Sequence, residues 1–147
     1  MPGILKHSPA NILRWLLIDL NLGTNPASGG SWPIFTESEP NTPDDCLSIY
    51  DTAGAQNGRT GPDGERQEHH GVQIRVRAGV AKAGFLKART LALALDSTIY
   101  QDGIVVEGTS YQVQNTTRTS DVLPLGKEPT SKRSLFTINS LISVRQI

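Results

Sequence analysis

Residues 72–77 of the chain, Val72-Gln-Ile-Arg-Val-Arg77, alternate strictly between apolar and polar side chains. A period of two places the three aliphatic side chains on one face of a β-strand and Gln73, Arg75 and Arg77 on the other. One buried face and one wet face are typical of an antiparallel sheet. The segment therefore predicts a sheet strand whose outer face is polar and basic.

Two helices are predicted, one directly after this strand and one near the N-terminus. The first runs from Val80 to Ser97, a segment rich in Ala and Leu. Small residues in its first turns would let it approach a sheet closely, and its predicted buried stripe is Ala81, Gly84, Phe85, Ala88, Leu91 or Ala92, and Leu95. The other helix is predicted from the N-cap Ser8 and from Pro9 at the first helical position to a stop at Gly23.

Short apolar segments between turn residues predict the remaining strands, which are 31–36, 47–50, 104–106, 111–113 and 136–144, with a hairpin turn at Glu107-Gly108 and a polar loop over 126–133. The order α, β-rich, α, β-rich favours the α+β class. We expect a mixed, mostly antiparallel sheet with two packed helices. A length of 147 residues fits a single domain over residues 1–147.

Residues 51–68 are unusual, since they contain four glycines, one proline and no large apolar side chain. Loops of this length in compact domains are usually functional or disordered. Because a predicted strand flanks the segment on each side, it is expected to form a long loop or a β-hairpin arm that is ordered only against a partner.

Charge divides the chain into two halves. Acidic and basic residues balance at 14 each, so no net charge draws the chain to nucleic acid or to an anionic membrane. Residues 1–70 hold four bases and nine acids, a net of −5, whereas residues 71–147 hold ten bases and five acids, a net of +5. Folding can interleave the halves and remove the asymmetry, which is the simpler interpretation. The alternative is a subunit with an acidic side and a basic side, suited to head-to-tail contact with copies of itself.

No catalytic, cofactor or metal site is expected. Glu68, His69 and His70 form the one cluster that could hold a metal, but adjacent strand residues point to opposite faces. Cys46 stands at the head of a predicted strand and is better interpreted as a core residue. The longest apolar stretch, 12–22, is interrupted by charged residues and is far shorter than the ~20 residues of a membrane span, so a cytoplasmic site of synthesis and no membrane partner are expected.

Several segments together resemble the tail terminator family of long-tailed bacteriophages, also described as phage minor capsid proteins. The resemblance covers most of residues 8–147 and consists of strands, turns and loops without a chemical signature. It rests on Cys46-Leu-Ser-Ile-Tyr-Asp-Thr-Ala-Gly54, the strand 72–77, the helix ending near Leu95, Gly108-Thr-Ser-Tyr-Gln-Val-Gln-Asn-Thr-Thr-Arg-Thr-Ser-Asp121, and Arg133-Ser-Leu-Phe-Thr-Ile-Asn139.

The resemblance implies a structural, non-enzymatic virion protein of the phage neck. Such a subunit would form a hexameric ring on the head-proximal end of the tail tube, stop tube polymerisation and offer a surface for head-tail joining. Its implied partners are copies of itself, the tail tube protein and the head connector protein, with DNA passing through the ring without sequence-specific contact. The expected subunit or tube contacts are Gln56, Arg59, Arg66, Arg75 and Arg77.

Three alternatives stay open at this point. A head-completion or neck connector protein would share the ring but bind the portal rather than the tube. A small metal-dependent enzyme would use Glu68, His69 and His70. A ligand-binding domain unrelated to phages is the third, although no pocket signature supports it.

Overall fold

The computed structural model of the chain describes residues 5–60, 65–97 and 101–146, with the backbone alone for 55–60, 65–68 and 146. Its elements are α1 (Pro9–Asp19), a 3-10 turn (Pro26–Ser28), β1 (Ile34–Thr36), β2 (Cys46–Thr60), β3 (Glu65–Ala78), α2 (Ala81–Ser97), β4 (Gln101–Val106), β5 (Thr109–Arg118), β6 (Leu123–Lys127) and β7 (Ser134–Gln146).

The strands form one 7-stranded sheet in the order β1-β2-β3-β7-β5-β4, with β6 also paired to β7. Among the pairs between the described strands, only the short β1–β2 pair is parallel. Strands β5 and β6 follow one another along the same edge of β7, which β6 joins at residues 134–137 and β5 from residue 140 onward. The predicted α+β class, with a mixed and mostly antiparallel sheet and two helices, is confirmed.

The alternating segment 72–77 lies in the middle of the sheet, within β3. Ile74 pairs with Ile49 of β2 on one side and with Ile138 of β7 on the other. All three side chains are fully buried. The alternation of apolar and polar residues in this segment therefore determines which face of the three neighbouring strands lines the core.

Helix α1 begins as predicted and ends earlier than predicted. The Ser8 hydroxyl accepts a hydrogen bond from the Asn11 N–H at 3.2 Å, which caps the first turn. The predicted stop at Gly23 is wrong, because the helix ends at Asp19 and Asn21 takes the left-handed conformation (φ 59°) that turns the chain away. Asparagine adopts this conformation more readily than most residues other than glycine.

Helix α1 connects parts of the sheet that are far apart in strand order. It packs mainly against β4 and β2, which requires the sheet to curl around it. The Ala10 N–H donates to Asp51 Oδ1 of β2 at 2.9 Å, and Arg14 Nε donates to the Ile34 carbonyl of β1 at 3.0 Å. On the other side, the Lys6 N–H donates to the Tyr111 hydroxyl of β5 at 3.2 Å. The helix therefore closes the open side of the sheet.

Helix α2 covers the same face of the sheet over β7, β3 and β5. Its buried residues are Gly84, Ala88, Leu91, Ala92 and Leu95. A side chain at Gly84 would collide with the Phe136 ring and Ala78 Cβ, which explains the small residue there. Two members of the predicted stripe are not buried: Ala81 is exposed, and Phe85 is 49% exposed, with its ring edge-on to Phe136 at a centroid distance of 6.3 Å.

Two predicted connections have different outcomes. The hairpin at Glu107-Gly108 is confirmed, and both residues have positive φ (48° and 85°), as a tight two-residue hairpin turn requires. The predicted polar loop over 126–133 is wrong in its first part, because Gly126 and Lys127 belong to strand β6. Gly126 has φ 84° beside a register shift, so its conformational freedom places an irregularity within that strand. Among the described residues, no helix is both long and apolar enough to cross a membrane.

Candidate interaction surfaces

The first candidate surface is a long β-hairpin formed by the outer halves of β2 and β3. Strand β3 pairs with β7 only from His70 onward, whereas its pairing with β2 continues to Thr60 and Glu65. Eight residues of β2 beyond Thr52 correspond to roughly 25 Å at the usual rise of a strand. The hairpin alternative predicted for residues 51–68 is therefore the one that the structure shows, and we call its part beyond the Thr52–Gly71 pair the arm.

The base of the arm is a β-bulge. The strand register shifts between Thr52 and Ala55, and again between Gln56 and Arg59. At Gly54 a side chain would collide with the His69 carbonyl oxygen, and at Gly71 one would collide with the Ala53 carbonyl oxygen. The two glycines allow the backbones to approach closely where the arm leaves the sheet, and bulges of this kind redirect a strand.

Three of the five predicted contact residues lie on the arm. Gln56 pairs with Glu68, and Arg59 pairs directly with Arg66 across the two strands. Their side chains lie outside the described part of the structure, so their positions are given by the backbone register. The arm thus brings the two predicted arginines together at one register position.

The other two predicted contact residues lie on the outer face of β3, and they differ in exposure. Arg75 is partly exposed and its Nη1 lies 3.3 Å from Glu39 Oε2. Arg77 is only 2% exposed, so the expectation of a wet face is wrong at this position. Its guanidinium donates to the Pro43 carbonyl at 2.6 Å and to the Asp44 carbonyl at 3.2 Å.

Residues 37–45 fold over that end of the sheet and are held by arginines from the second half of the chain. Arg133 donates to Glu128 Oε1 at 2.8 Å and to the Asn41 carbonyl at 2.6 Å, and its Nη1 lies 3.3 Å from Asp44 Oδ1. The hydrogen bond with Glu128 raises the pKa of Arg133. Acids of the first half are thus neutralised by bases of the second half at this corner, as the interleaving interpretation predicts.

Cys46 lies beneath the same segment. Its side chain is fully buried, and burial raises the pKa of its thiol. A buried, protonated thiol is a poor nucleophile. The interpretation of Cys46 as a core residue therefore fits its surroundings.

The middle of the outer sheet face is polar and carries no helix. Gln73 Nε2 donates to Asn139 Oδ1 at 3.2 Å across β3 and β7. At the neighbouring cross-strand pair, Ser48 Oγ and Arg75 Nε are both buried without a hydrogen-bond partner. The sequence predicted Arg75 as a contact residue but gave no prediction for Ser48. The signal that could have indicated Ser48 is its position as the one hydroxyl side chain between apolar neighbours.

Sequence reasoning also missed an ion pair at the end of α2. Arg118 of β5 donates two hydrogen bonds of 2.8 Å to the Asp96 carboxylate, and its Nη1 lies 3.4 Å from Asp121 Oδ1. The hydrogen bonds from Arg118 lower the pKa of Asp96. Asp96, Asp121 and residues 116–120 line an open, shallow depression of about 450 Å³. Its openness and its paired charges give it no feature of a catalytic pocket.

No group of three or more His, Cys, Asp or Glu side chains in the described ranges lies close enough to hold an ion. His69 Nδ1 is within hydrogen-bond distance of Ser143 Oγ, at 3.0 Å. The side chain of Glu68, which the enzyme alternative needs, lies outside the described part of the structure.

Comparisons with known proteins identify the family. No curated protein matches the chain. A solved structure whose title describes no function is similar over 92% of this chain and 90% of its own, with 20% identity and a TM-score of 0.47. The family model described as bacteriophage tail terminator protein matches residues 16–131. That range includes both helices in part or whole, the arm and six of the seven strands, and the chain therefore belongs to the bacteriophage tail terminator protein family.

Proposed function

We propose that copies of this subunit form a hexameric ring on the head-proximal end of the phage tail tube, where the ring stops tube growth and provides the surface for head-tail joining. The subunit then acts as a structural part of the virion neck, and its partners are neighbouring copies, the tube protein and the head connector. Family membership supports the structural role in the tail, and the arm supports the ring and the joining function.

The arm is the observation that carries the proposal. Residues 53–60 of β2 and 65–68 of β3 pair, among the described residues, with no strand outside the hairpin. An isolated two-stranded hairpin is marginally stable in water, so an arm of this length gains order by packing on another molecule. A neighbouring subunit or the end of the tube would supply that surface.

The register at Arg59 and Arg66 indicates the chemistry of that surface. Like charges at directly opposed positions destabilise an antiparallel pair. An acidic group of another molecule that approaches the two arginines would relieve this repulsion. We therefore assign the arm an acidic counterpart on the neighbouring subunit or on the tube.

The direct test combines native mass spectrometry with a tube-capping assay. Purified protein is measured over a concentration series and then mixed separately with purified tail tubes and with purified portal, and both mixtures are imaged by negative stain. We expect a closed six-subunit species, in solution or at tube ends, and no further tube growth after its binding. Binding to the portal but not to tubes would assign the protein to the neck connectors instead, and an absence of binding to either would overturn the proposal.

Shortening the arm tests its role separately from folding. Replacing residues 56–68 by a two-residue Asn-Gly turn keeps the Ala55–His69 pair and every pair closer to the sheet. We expect an unchanged circular dichroism spectrum and unfolding midpoint but loss of tube capping. A shortened variant that caps tubes normally would remove the arm from the mechanism.

A charge substitution narrows the test to two residues. The double variant Arg59→Glu with Arg66→Glu is expected to weaken tube capping or ring formation by at least tenfold. The double variant Lys127→Glu with Lys132→Glu, at two exposed positions near β7, is the control with the same change in net charge. Equal losses in both variants would mean that net charge, not the arm, is responsible.

A further inference from the structure

Helix α2 has a second apolar face, opposite the one that packs on the sheet. Leu86 is 54% exposed and Leu93 is 50% exposed. They belong to an exposed row with alternating spacings of three and four residues, which consists of Ala83, Leu86, Thr90, Leu93 and Ser97. This spacing is that of a helix seam that packs against another element. We call the row the outer stripe.

The hydroxyl groups in the outer stripe do not interrupt its apolar character. Thr90 Oγ1 donates to the Leu86 carbonyl at 2.8 Å, and Ser97 Oγ donates to the Leu93 carbonyl at 2.9 Å. Both hydroxyls thus bond to their own helix and leave their carbon atoms facing outward. Their pairing within the helix lowers the cost of desolvating them when a partner packs on the stripe.

The charges beside the stripe oppose the helix dipole. The first turn of α2 contains no acidic residue and carries Lys82, whereas the last turn contains no basic residue and carries Asp96. This is the reverse of the arrangement that stabilises a helix. Arg118 pairs with Asp96, and Arg89 Nη1 lies 3.4 Å from Asp121 Oδ1, which leaves Lys82 to give the stripe a positive border. A positive border that does not stabilise its own helix is suited to an acidic partner.

A surface with the opposite character lies at the end of the sheet, on β4. Val105 is 51% exposed there, with Asp102 on one side and Glu107, whose side chain is 80% exposed, on the other. Strand β4 pairs only with β5 among the described strands, so it forms the free edge of the sheet. It therefore presents an apolar residue between two acids, whereas the outer stripe presents leucines beside Lys82.

We infer that the outer stripe of α2 docks against the β4 edge of a second copy of this chain, with Leu86 facing Val105 and with Lys82 facing Glu107. The contact joins two different surfaces, so it repeats head to tail, and such contacts close into rings when the rotation allows it. The inference rests on the proposed ring and identifies the surfaces that would join its neighbours.

Charge reversal in two separate variants tests the pairing. Lys82→Glu and Glu107→Lys each replace an attraction by a repulsion, and each alone is expected to weaken self-association about tenfold, less so at high salt. An equimolar mixture of the two variants restores every contact when they alternate around the ring. The mixture should therefore recover assembly with equal amounts of each chain in native mass spectrometry. Variants that assemble like the wild type, or a mixture that does not recover, would overturn the pairing.

Cross-linking gives a second measurement that does not depend on affinity. Leu86→Cys with Val105→Cys in one chain should give a ladder of cross-linked multimers with a short bismaleimide, while the buried Cys46 stays unreactive. Each single variant should stay uncross-linked, and a mixture of both should stop at dimers. Leu125→Cys, also half exposed, replaces Leu86→Cys in the control chain. A ladder from the control chain alone would contradict the inference.

The tube-capping assay separates this inference from the proposed function. Wild-type rings that cap tubes, together with charge variants that assemble normally, would overturn the α2–β4 contact and leave the tail terminator role intact. Wild-type protein that neither associates nor caps tubes would overturn both.

Discussion

Arg77 occupies the last position of the alternating strand, and its guanidinium is buried under residues 37–45. The period of two correctly predicted its face of the sheet. Its burial could not be predicted, because the covering segment is rich in proline and polar residues and has no periodicity. Arg133, which holds the same segment, lies 92 residues from its Asn41 partner, and no local pattern relates the two.

Removing Arg77 should destabilise the subunit strongly. Arg77→Met leaves the Pro43 and Asp44 carbonyls without their donor and the Glu39 carboxylate with one cation fewer. We expect a loss of about 3 kcal/mol in the free energy of unfolding, measured with urea. The exposed Arg145→Met is the control and should change stability by less than about 0.5 kcal/mol. Equal effects of the two substitutions would contradict the structural role of Arg77.

Asp96 and Asp51 should affect the pH dependence of the free energy of unfolding in opposite directions. Arg118 lowers the pKa of Asp96, so the stability that this carboxylate contributes is present above its ordinary pKa and is lost as the pH falls through the lowered value. The variant Asp96→Asn should therefore lose less stability than the wild type below about pH 4.

Asp51 provides the control of opposite sign. Partial burial raises its pKa, despite the hydrogen bond from Ala10, so its contribution is present at low pH and is lost as the pH rises through the raised value. The Asp51→Asn variant should accordingly gain stability relative to the wild type as the pH rises above about 4. Urea unfolding of both variants between pH 3 and pH 7 measures the two slopes, and slopes of the same sign would contradict this assignment.

At the scale of elements, helix α1 holds the curled sheet closed through a few polar anchors. Tyr111 is fully buried, and its hydroxyl receives the Lys6 N–H and lies 2.7 Å from His7 Nδ1. The sequence predicted the helix from its cap and apolar spacing. The two anchors on Tyr111 could not be predicted, because they join residues 105 and 104 positions apart.

Loss of the Tyr111 hydroxyl should weaken the anchoring of α1. Tyr111→Phe is expected to cost about 1–2 kcal/mol in the free energy of unfolding, because the ring stays packed while two hydrogen bonds are lost. A double-mutant cycle with His7→Ala measures the coupling between the two residues. Strictly additive effects would mean that the 2.7 Å contact contributes nothing to stability.

The strands differ in how well the sequence predicts them. Strand β3 is central and alternates cleanly, and the Glu107-Gly108 hairpin has residues suited to its turn, so both were predicted. Strand β6 was missed because Pro124 and Gly126 are residues that usually break strands. It forms nevertheless, since its position beside β7 requires hydrogen bonds on one side only.

At the scale of the whole molecule, the sequence predicted the fold class and the hairpin course of the arm, whereas the contact residues stay predictions. The apolar periodicity of strands and helices reflects which residues are buried within the subunit, so it is sufficient to predict the fold class. A contact with another subunit or with a tube has no counterpart inside the chain, and its residues differ little from ordinary exposed ones. The outer stripe of α2 is an exception, because Leu86 and Leu93 repeat the helical spacing on a face that the subunit itself leaves open.

The position of β3 between β2 and β7 has a consequence for synthesis. Strand β3 is complete at residue 78, but the strand that covers its second edge begins at residue 134. Helix α1 is synthesised before β4 and Tyr111, so it too lacks these packing partners until they are made. At about 5–20 residues per second, the ribosome leaves the central strand with an open edge for several seconds. Newly made subunits thus pass through an aggregation-prone interval, and their yield should depend on translation rate and chaperone supply.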